Sequence, residues 1–271
     1  MDTGSKFQLM ARGGYGARGA VFLLIAGLAL FSGIAGGKPE TKSALDSVLK
    51  QPFGRIWLLL IAIGLIGFVG WRLAQSLGNA DGLASNAKGY LTRAALFGSA
   101  VTYSGFAIYA VQQATDIGAE SGSGGEKGLA AWAMSQPFGQ YLAGAIGIGF
   151  VIGGIVTITK GLMRKFERNL RLDSSTRKPI VLLCIYGLVA RGLIFVVVGV
   201  FFVYAAFTVN PDQAGSMADA LTWIRQLPFG GILYVIAALG LASFGIYNFV
   251  QARYRIVRQV GIPTPSLGTF G

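Results

Sequence analysis

Six segments of the chain are almost wholly apolar, at residues 19–36, 56–74, 94–114, 140–159, 187–208 and 231–251. A helix needs about 20 such residues to cross the hydrocarbon core of a bilayer. None of the six alternates apolar and polar residues as a barrel strand does. In lipid a backbone must satisfy its own hydrogen bonds, and a helix does so within one segment. The chain therefore reads as an all-α, polytopic membrane protein, with six transmembrane helices in a single membrane domain over residues 1–271. Composition agrees: 53% of residues are hydrophobic and 13% charged, against about 25% charged in ordinary soluble domains. The first segment follows Arg12 and Arg18 and has the outline of a signal peptide. It recurs as part of a repeat, so it is expected to remain as a span.

The net charge of +12 would point to nucleic acid in a soluble chain. Its distribution gives another reason. With six spans, the N-terminus, the loops near 75–93 and 160–186 and the C-terminus share one side, to which Arg72 and Arg191 are also assigned. That side carries 17 of the 23 basic residues and only Asp2, Asp81, Glu167 and Asp173 as acids, a net of +13. The other side has six basic residues against seven acids, a net of −1. Lys and Arg concentrate in cytoplasmic loops, so both termini are expected inside and no nucleic-acid partner is called for.

Two landmarks recur three times. The first is a Tyr followed by small residues and an Arg at the start of each odd span: Tyr15 to Arg18, Tyr90 to Arg93 and Tyr186 to Arg191. The second is Pro-Phe-Gly before each even span: Pro52-Phe53-Gly54, Pro137-Phe138-Gly139 and Pro228-Phe229-Gly230. Twelve residues after each Pro is a Gly (Gly64, Gly149, Gly240), and 23 after it is a long polar side chain (Gln75, Lys160, Gln251). At 1.5 Å per residue, 23 residues reach the opposite membrane surface. The three repeats cover about 12–78, 87–170 and 180–260. Before each Pro-Phe-Gly lies a short amphipathic run, at 43–49, 128–134 and 217–224. These are expected to be helices lying along the outer interface, with Trp132 and Trp223 in its aromatic belt.

The landmarks resemble the bacterial family catalogued as domain of unknown function 1206. The likeness is closest in Tyr186–Gly192, in Ala214–Gly230 and in Phe244–Arg255, and it extends over nearly the whole chain as three tandem copies. It implies a six-helix bacterial inner-membrane protein and carries no reaction with it. Repeat two departs from the pattern, with Ala94 where the others have Gly19 and Gly192.

Several chemistries are excluded by residue type. The chain has no histidine and one cysteine, Cys184. A Ser-His or Cys-His nucleophile is therefore impossible, and no cysteine and histidine cluster exists for zinc, haem or iron–sulfur. No cofactor, metal or catalytic residue is expected. No Gly-rich loop precedes Lys-Ser or Lys-Thr, and no carboxylate lies inside a span.

The residues that stand out are Arg18, Arg93 and Arg191. Charges in the hydrocarbon region are costly and often mark function. The bland reading has them snorkel to the cytoplasmic surface as topology signals. The sharper one gathers them, with Gln75, Lys160 and Gln251, around a pseudo-three-fold pocket for an anion or an acidic lipid headgroup. Glycines in the spans read as close-packing contacts, and Tyr103, Tyr109, Tyr204 and Tyr247 as packed or interfacial aromatics. The stretch Glu120–Lys127 reads as a flexible outer loop. The run 160–178 reads as a cytoplasmic segment drawn to anionic headgroups or docking a partner. The expected role is a non-enzymatic scaffold or accessory subunit whose partners are membrane lipids or another membrane protein. The alternative is a small channel or transporter along the repeat axis.

Overall fold

The computed structural model describes residues 3–35, 45–46, 48–50, 52–115, 129, 132–170, 177–210 and 213–255. The stretch Glu120–Lys127 lies outside the described residues. Among the described residues the fold is carried by the helices α1 (Thr3–Ala35), α2 (Gly54–Ser76), α3 (Ala87–Thr115), α4 (Gly139–Leu162), α5 (Arg177–Thr208), α6 (Met217–Gln226) and α7 (Gly230–Tyr254). All except α6 are long and apolar enough to cross a membrane. Among the described residues there is no strand, only an isolated antiparallel bridge between Leu170 and Arg255.

The odd helices of the repeats outrun their apolar stretches. α1 has 33 residues and α5 has 32, about 50 Å each at 1.5 Å per residue, well beyond the ~30 Å hydrocarbon core. Hydropathy finds only the part that lies in lipid; a helix does not stop where its side chains become polar. The apolar run Ile180–Ala190 ahead of Arg191 thus belongs to the same helix as the span after it. Pro179 is tolerated there because it sits in the first turn, where its missing N–H has no carbonyl to meet.

Each Pro-Phe-Gly makes the same turn. Phe53, Phe138 and Phe229 all take left-handed backbone conformations, with φ of 58°, 60° and 59°. The following Gly54, Gly139 and Gly230 are buried against carbonyls of the preceding short segment, at Leu49, Met134 and Arg225, where a Cβ would collide. The Phe rings are exposed, each above 75%. A left-handed Phe costs roughly 1–2 kcal/mol, which an aromatic ring placed at the membrane interface offsets. Of the three short outer runs, 217–224 lies wholly within the described residues and forms α6. Its Ser216 hydroxyl accepts from the Asp219 N–H, and the Asp219 carboxylate accepts from the Ser216 N–H at 2.8 Å. This reciprocal cap fixes its start. Trp132 and Trp223 are exposed on this side, as an interfacial belt requires.

The six long helices form a C-shaped ring in the order α3, α2, α1, α7, α5, α4. The even helix of each repeat packs on the odd helix of the next: α2 on α3, α4 on α5, and α7 on α1. Within a repeat, α1 packs on α2 and α5 on α7, but no packed interface joins α3 and α4 among the described residues. Glycine lines four of these five interfaces, all except that of α2 with α3. On α4, Gly147 and Gly154 face Gly199 and Gly192 of α5. A Cβ on Gly154 would lie 2.6 Å from the Gly192 oxygen, and one on Gly199 2.7 Å from the Gly147 oxygen. Gly19 and Gly245 meet the same way between α1 and α7. Inside repeats one and three, Gly64 touches Ala17 and Gly240 touches Ala190, while Gly14 packs on Phe68 and Gly187 on Phe244. The counterparts in repeat two are Thr92 for the alanines and Gly153 for the phenylalanines. Gly149 and Gly153 have nothing within 4 Å of an added Cβ.

Gly154→Leu is therefore expected to lower stability by about 1–3 kcal/mol through overpacking. Gly149→Leu, one and a half turns away, should be neutral or stabilising, because it gains helix propensity without a clash. Thermal melts of the two variants in one detergent check this contrast.

Candidate functional site

Side chains from the whole ring converge on its interior in two tiers. In the deeper tier Arg18 of α1 is 5% exposed. Its guanidinium carbon lies 5.1 Å from the ring centres of Phe68, Tyr103 and Phe244 and 5.7 Å from that of Phe22. Its Nε donates to the Tyr103 hydroxyl at 2.7 Å. Arg191 of α5 sits 4.0 Å from the centre of Phe195, 4.6 Å from Phe244 and 5.8 Å from Phe22. Both arginines thus share the faces of Phe22 and Phe244. Phe68 and Phe244 are the sixteenth residues after Pro52 and Pro228, about 12–15 Å inside the ends of α2 and α7. Arg18 and Arg191 therefore lie well within their spans; Arg18 is buried and Arg191 half-buried.

The second tier closes the basic end. Arg72 stacks 4.7 Å from the Phe68 centre and donates to Gln75 Oε1 at 3.1 Å. Gln75 donates to Asp81 Oδ2 at 2.6 Å, and Arg255 pairs with Asp81 Oδ1 at 3.1 Å. Arg255 also donates to Gln251 Oε1, and Gln251 donates to the Tyr247 hydroxyl. Lys160 of α4 lies within electrostatic reach of Arg72, Arg255 and Asp81. Arg72, Gln75 and Asp81 come from repeat one, Lys160 from repeat two, and Gln251 and Arg255 from repeat three.

Five of the six residues singled out in the sequence face the interior: Arg18 and Arg191 in the deeper tier, Gln75, Lys160 and Gln251 in the outer one. Arg93 does not. It donates to the carbonyls of Ser76 and Leu77 and so caps the end of α2. Repeat two instead contributes Tyr103 to the deeper tier, ten residues further along α3. The Tyr landmark also loses its equivalence in three dimensions. Tyr15 is buried and accepts from Trp71, whereas Tyr90 is exposed. Tyr186 stands two residues earlier in its repeat and reaches the Ile236 carbonyl from another face of the helix. Of the other tyrosines, Tyr247 is buried, Tyr109 bonds Asp46 at 2.8 Å, and Tyr204 is exposed. Sequence reasoning passed over Phe22, Phe68, Phe244 and Asp81. A signal for the first was present: Arg and Phe recur four residues apart as Arg18–Phe22, Arg93–Phe97 and Arg191–Phe195.

Electrostatically the interior is lopsided. Among the described residues, Arg18, Arg72, Arg191, Lys160 and Arg255 face one carboxylate, Asp81. Arg191 is within electrostatic reach of Arg18 and Arg72, yet it makes no hydrogen bond to a described residue, and its Nε is buried without an acceptor. The Nε atoms of Arg72 and Arg255 share that condition. Cation–π contacts return about 0.5–2 kcal/mol each, less than the several kcal/mol that desolvating an unpaired ion costs. A second basic feature lies outside the ring, a cavity of about 670 Å³ lined by Arg164, Glu167, Arg168, Arg177, Lys178, Val181 and Leu182. There Arg177 pairs with Glu167 at 2.6 Å. Cys184 is buried, and no group of three potential metal ligands occurs among the described residues.

Two outcomes follow for the purified protein stripped of lipid. Arg191→Met should raise the melting temperature, because it removes a charge whose Nε is buried without an acceptor and leaves an unbranched apolar side chain beside Phe195. Asp81→Asn should lower stability by about 1–2 kcal/mol, since it weakens the charge-assisted bonds to Arg255 and Gln75. Parallel melts at low ionic strength read both.

The family model described as Domain of Unknown Function (DUF1206) matches residues 13–78, 94–164 and 186–255. An uncharacterized protein of Bacillus subtilis (strain 168), YxxB, is 32% identical over 261 residues, covering 94% of this chain and 93% of its own length. No solved structure matches. The three matched segments coincide with the three helix pairs that build the ring, and the chain belongs to the DUF1206 family.

Proposed function

We propose that this protein is a non-enzymatic component of the bacterial inner (plasma) membrane that holds an anionic group inside its ring. It acts there as a scaffold or accessory subunit for a lipid or a membrane-protein partner. The observation that carries the reading is Arg191, a guanidinium in mid-span with aromatic faces beside it and no acceptor. An anion placed between Arg191 and Arg18 supplies charge-assisted hydrogen bonds, each about twice as strong as a neutral one. The residue inventory supports a binding role over a catalytic one. The chain has no histidine, and Asp81 is engaged by Gln75 and Arg255. The concentration of Lys and Arg at one end favours a topology with both termini in the cytoplasm.

A small anion transporter is the second reading. It is favoured by the stacking of two cationic tiers along the ring interior, and phosphate flux into proteoliposomes separates it from a holding role.

Phosphorus analysis of protein purified in mild detergent tests the main reading. A bound phosphorus-containing or acidic component is expected in wild type and should fall at least tenfold in Arg191→Leu. A wild-type preparation that is free of anionic ligand and takes none up would overturn it. For topology, Lys165→Cys should react with an impermeant thiol reagent only from the cytoplasm, and Phe229→Cys only from outside.

A further inference from the structure

The ring is open along one side, and the open face belongs to α4. In repeats one and three the twelfth and sixteenth residues after the Pro pack against the odd helix of the same repeat, through Gly64 on Ala17 and Phe68 on Gly14, and through Gly240 on Ala190 and Phe244 on Gly187. In repeat two these positions are Gly149 and Gly153, and neither has a neighbour within 4 Å of an added Cβ. Lys160 lies seven residues, two turns, beyond Gly153, on the same face of α4. An apolar strip of helix thus leads to a cation within electrostatic reach of Arg72, Arg255 and Asp81.

The chemistry at the two ends of this strip narrows the ligand. At the inner end Arg191 has a buried Nε without an acceptor, and Arg18, beside it, has one hydroxyl partner. From the basic end of the ring, Arg72, Gln75, Asp81, Arg255 and Gln251 form a continuous hydrogen-bonded bridge across the approach from water. Among the described residues no such bridge crosses between α3 and α4, which share no packed interface. A soluble anion uses only the inner half of this arrangement. A molecule with an anionic head and an apolar chain uses all of it.

We propose that the ligand is an anionic phospholipid that enters sideways between α3 and α4. Its phosphate meets Arg191 and Arg18, its head passes Lys160, and an acyl chain lies along Gly149 and Gly153 of α4. This rests on the anion-holding role proposed above and adds the class of ligand and its route.

The test uses the full chain, delipidated in neutral detergent, with three probes: phosphatidylglycerol carrying a fluorescent acyl chain, phosphatidylcholine with the same label, and inorganic phosphate. Wild type should retain phosphatidylglycerol in preference to phosphatidylcholine. Arg191→Gln should weaken that retention about 10–100-fold, as expected for one lost charge-assisted contact. The double variant Gly149→Trp/Gly153→Trp fills the open face. With an unchanged melting temperature, it should lose phosphatidylglycerol while binding inorganic phosphate as wild type does. Gly149→Cys in a Cys184→Ala background gives a readout that does not depend on the bulky variant folding. A maleimide should label it freely when delipidated and at least tenfold more slowly once phosphatidylglycerol is bound. Retention of lipid by a folded double variant, or labelling indifferent to lipid, overturns the lateral route. Binding of phosphate without lipid overturns the lipid assignment and leaves the anion-holding role standing. Binding of neither overturns both.

Discussion

Two apolar helix faces in lipid gain nothing by leaving acyl chains for each other, so association depends on how closely the backbones approach. In this protein that approach is set by glycine. Gly147 and Gly154 against Gly199 and Gly192, and Gly19 against Gly245, bring backbone atoms of neighbouring repeats to distances that no Cβ would permit. The rest of the architecture follows from these contacts. Because each even helix is locked to the odd helix of the next repeat, the last helix packs on the first and the chain curls into a ring. Three hairpins in a row would not otherwise have to return on themselves.

That curl brings the charges together. Arg18 and Arg191 are separated by most of the chain, yet they flank the same two rings, Phe22 and Phe244. The arrangement is a compromise between two costs. Snorkelling would free the charges, but both arginines begin mid-helix and their side chains turn inward, where aromatic faces give partial compensation and like charges repel. The outer tier resolves its own charge through Asp81, which ties the α2–α3 connection to the end of α7. Among the described residues the deeper tier has no such acid, and that imbalance is what the proposed anion would offset.

Repeat two is where symmetry fails, and its failure is coherent. Thr92 replaces alanine, Gly153 replaces phenylalanine, and Arg93 leaves the interior to cap α2. The first two changes fall on the contact that α3 and α4 do not make. The replacement of a Phe by a Gly removes both a packing knob and one aromatic wall. The same substitution that opens the ring therefore also leaves α4 with a smooth apolar face beside the cations.

The number of spans, the three-fold repetition, the Pro-Phe-Gly boundaries and the absence of histidine chemistry were all legible in the chain. Each rests on hydropathy, residue type or local spacing, which do not depend on what packs where. The length of α1 and α5 was less so, since hydropathy reports where a helix lies in lipid and says nothing of where its backbone hydrogen bonds end. The candidate site was half legible: Arg18, Arg191, Gln75, Lys160 and Gln251 stand out by type and period. Tyr103 in place of Arg93, the shared rings of Phe22 and Phe244, the Asp81 bridge and the open side between α3 and α4 were decided only by tertiary structure. A repeat in sequence specifies equivalent local segments. Which of them touch depends on side-chain volumes on facing helices far apart in the chain: where Phe68 and Phe244 pack in repeats one and three, repeat two has Gly153 with nothing against it.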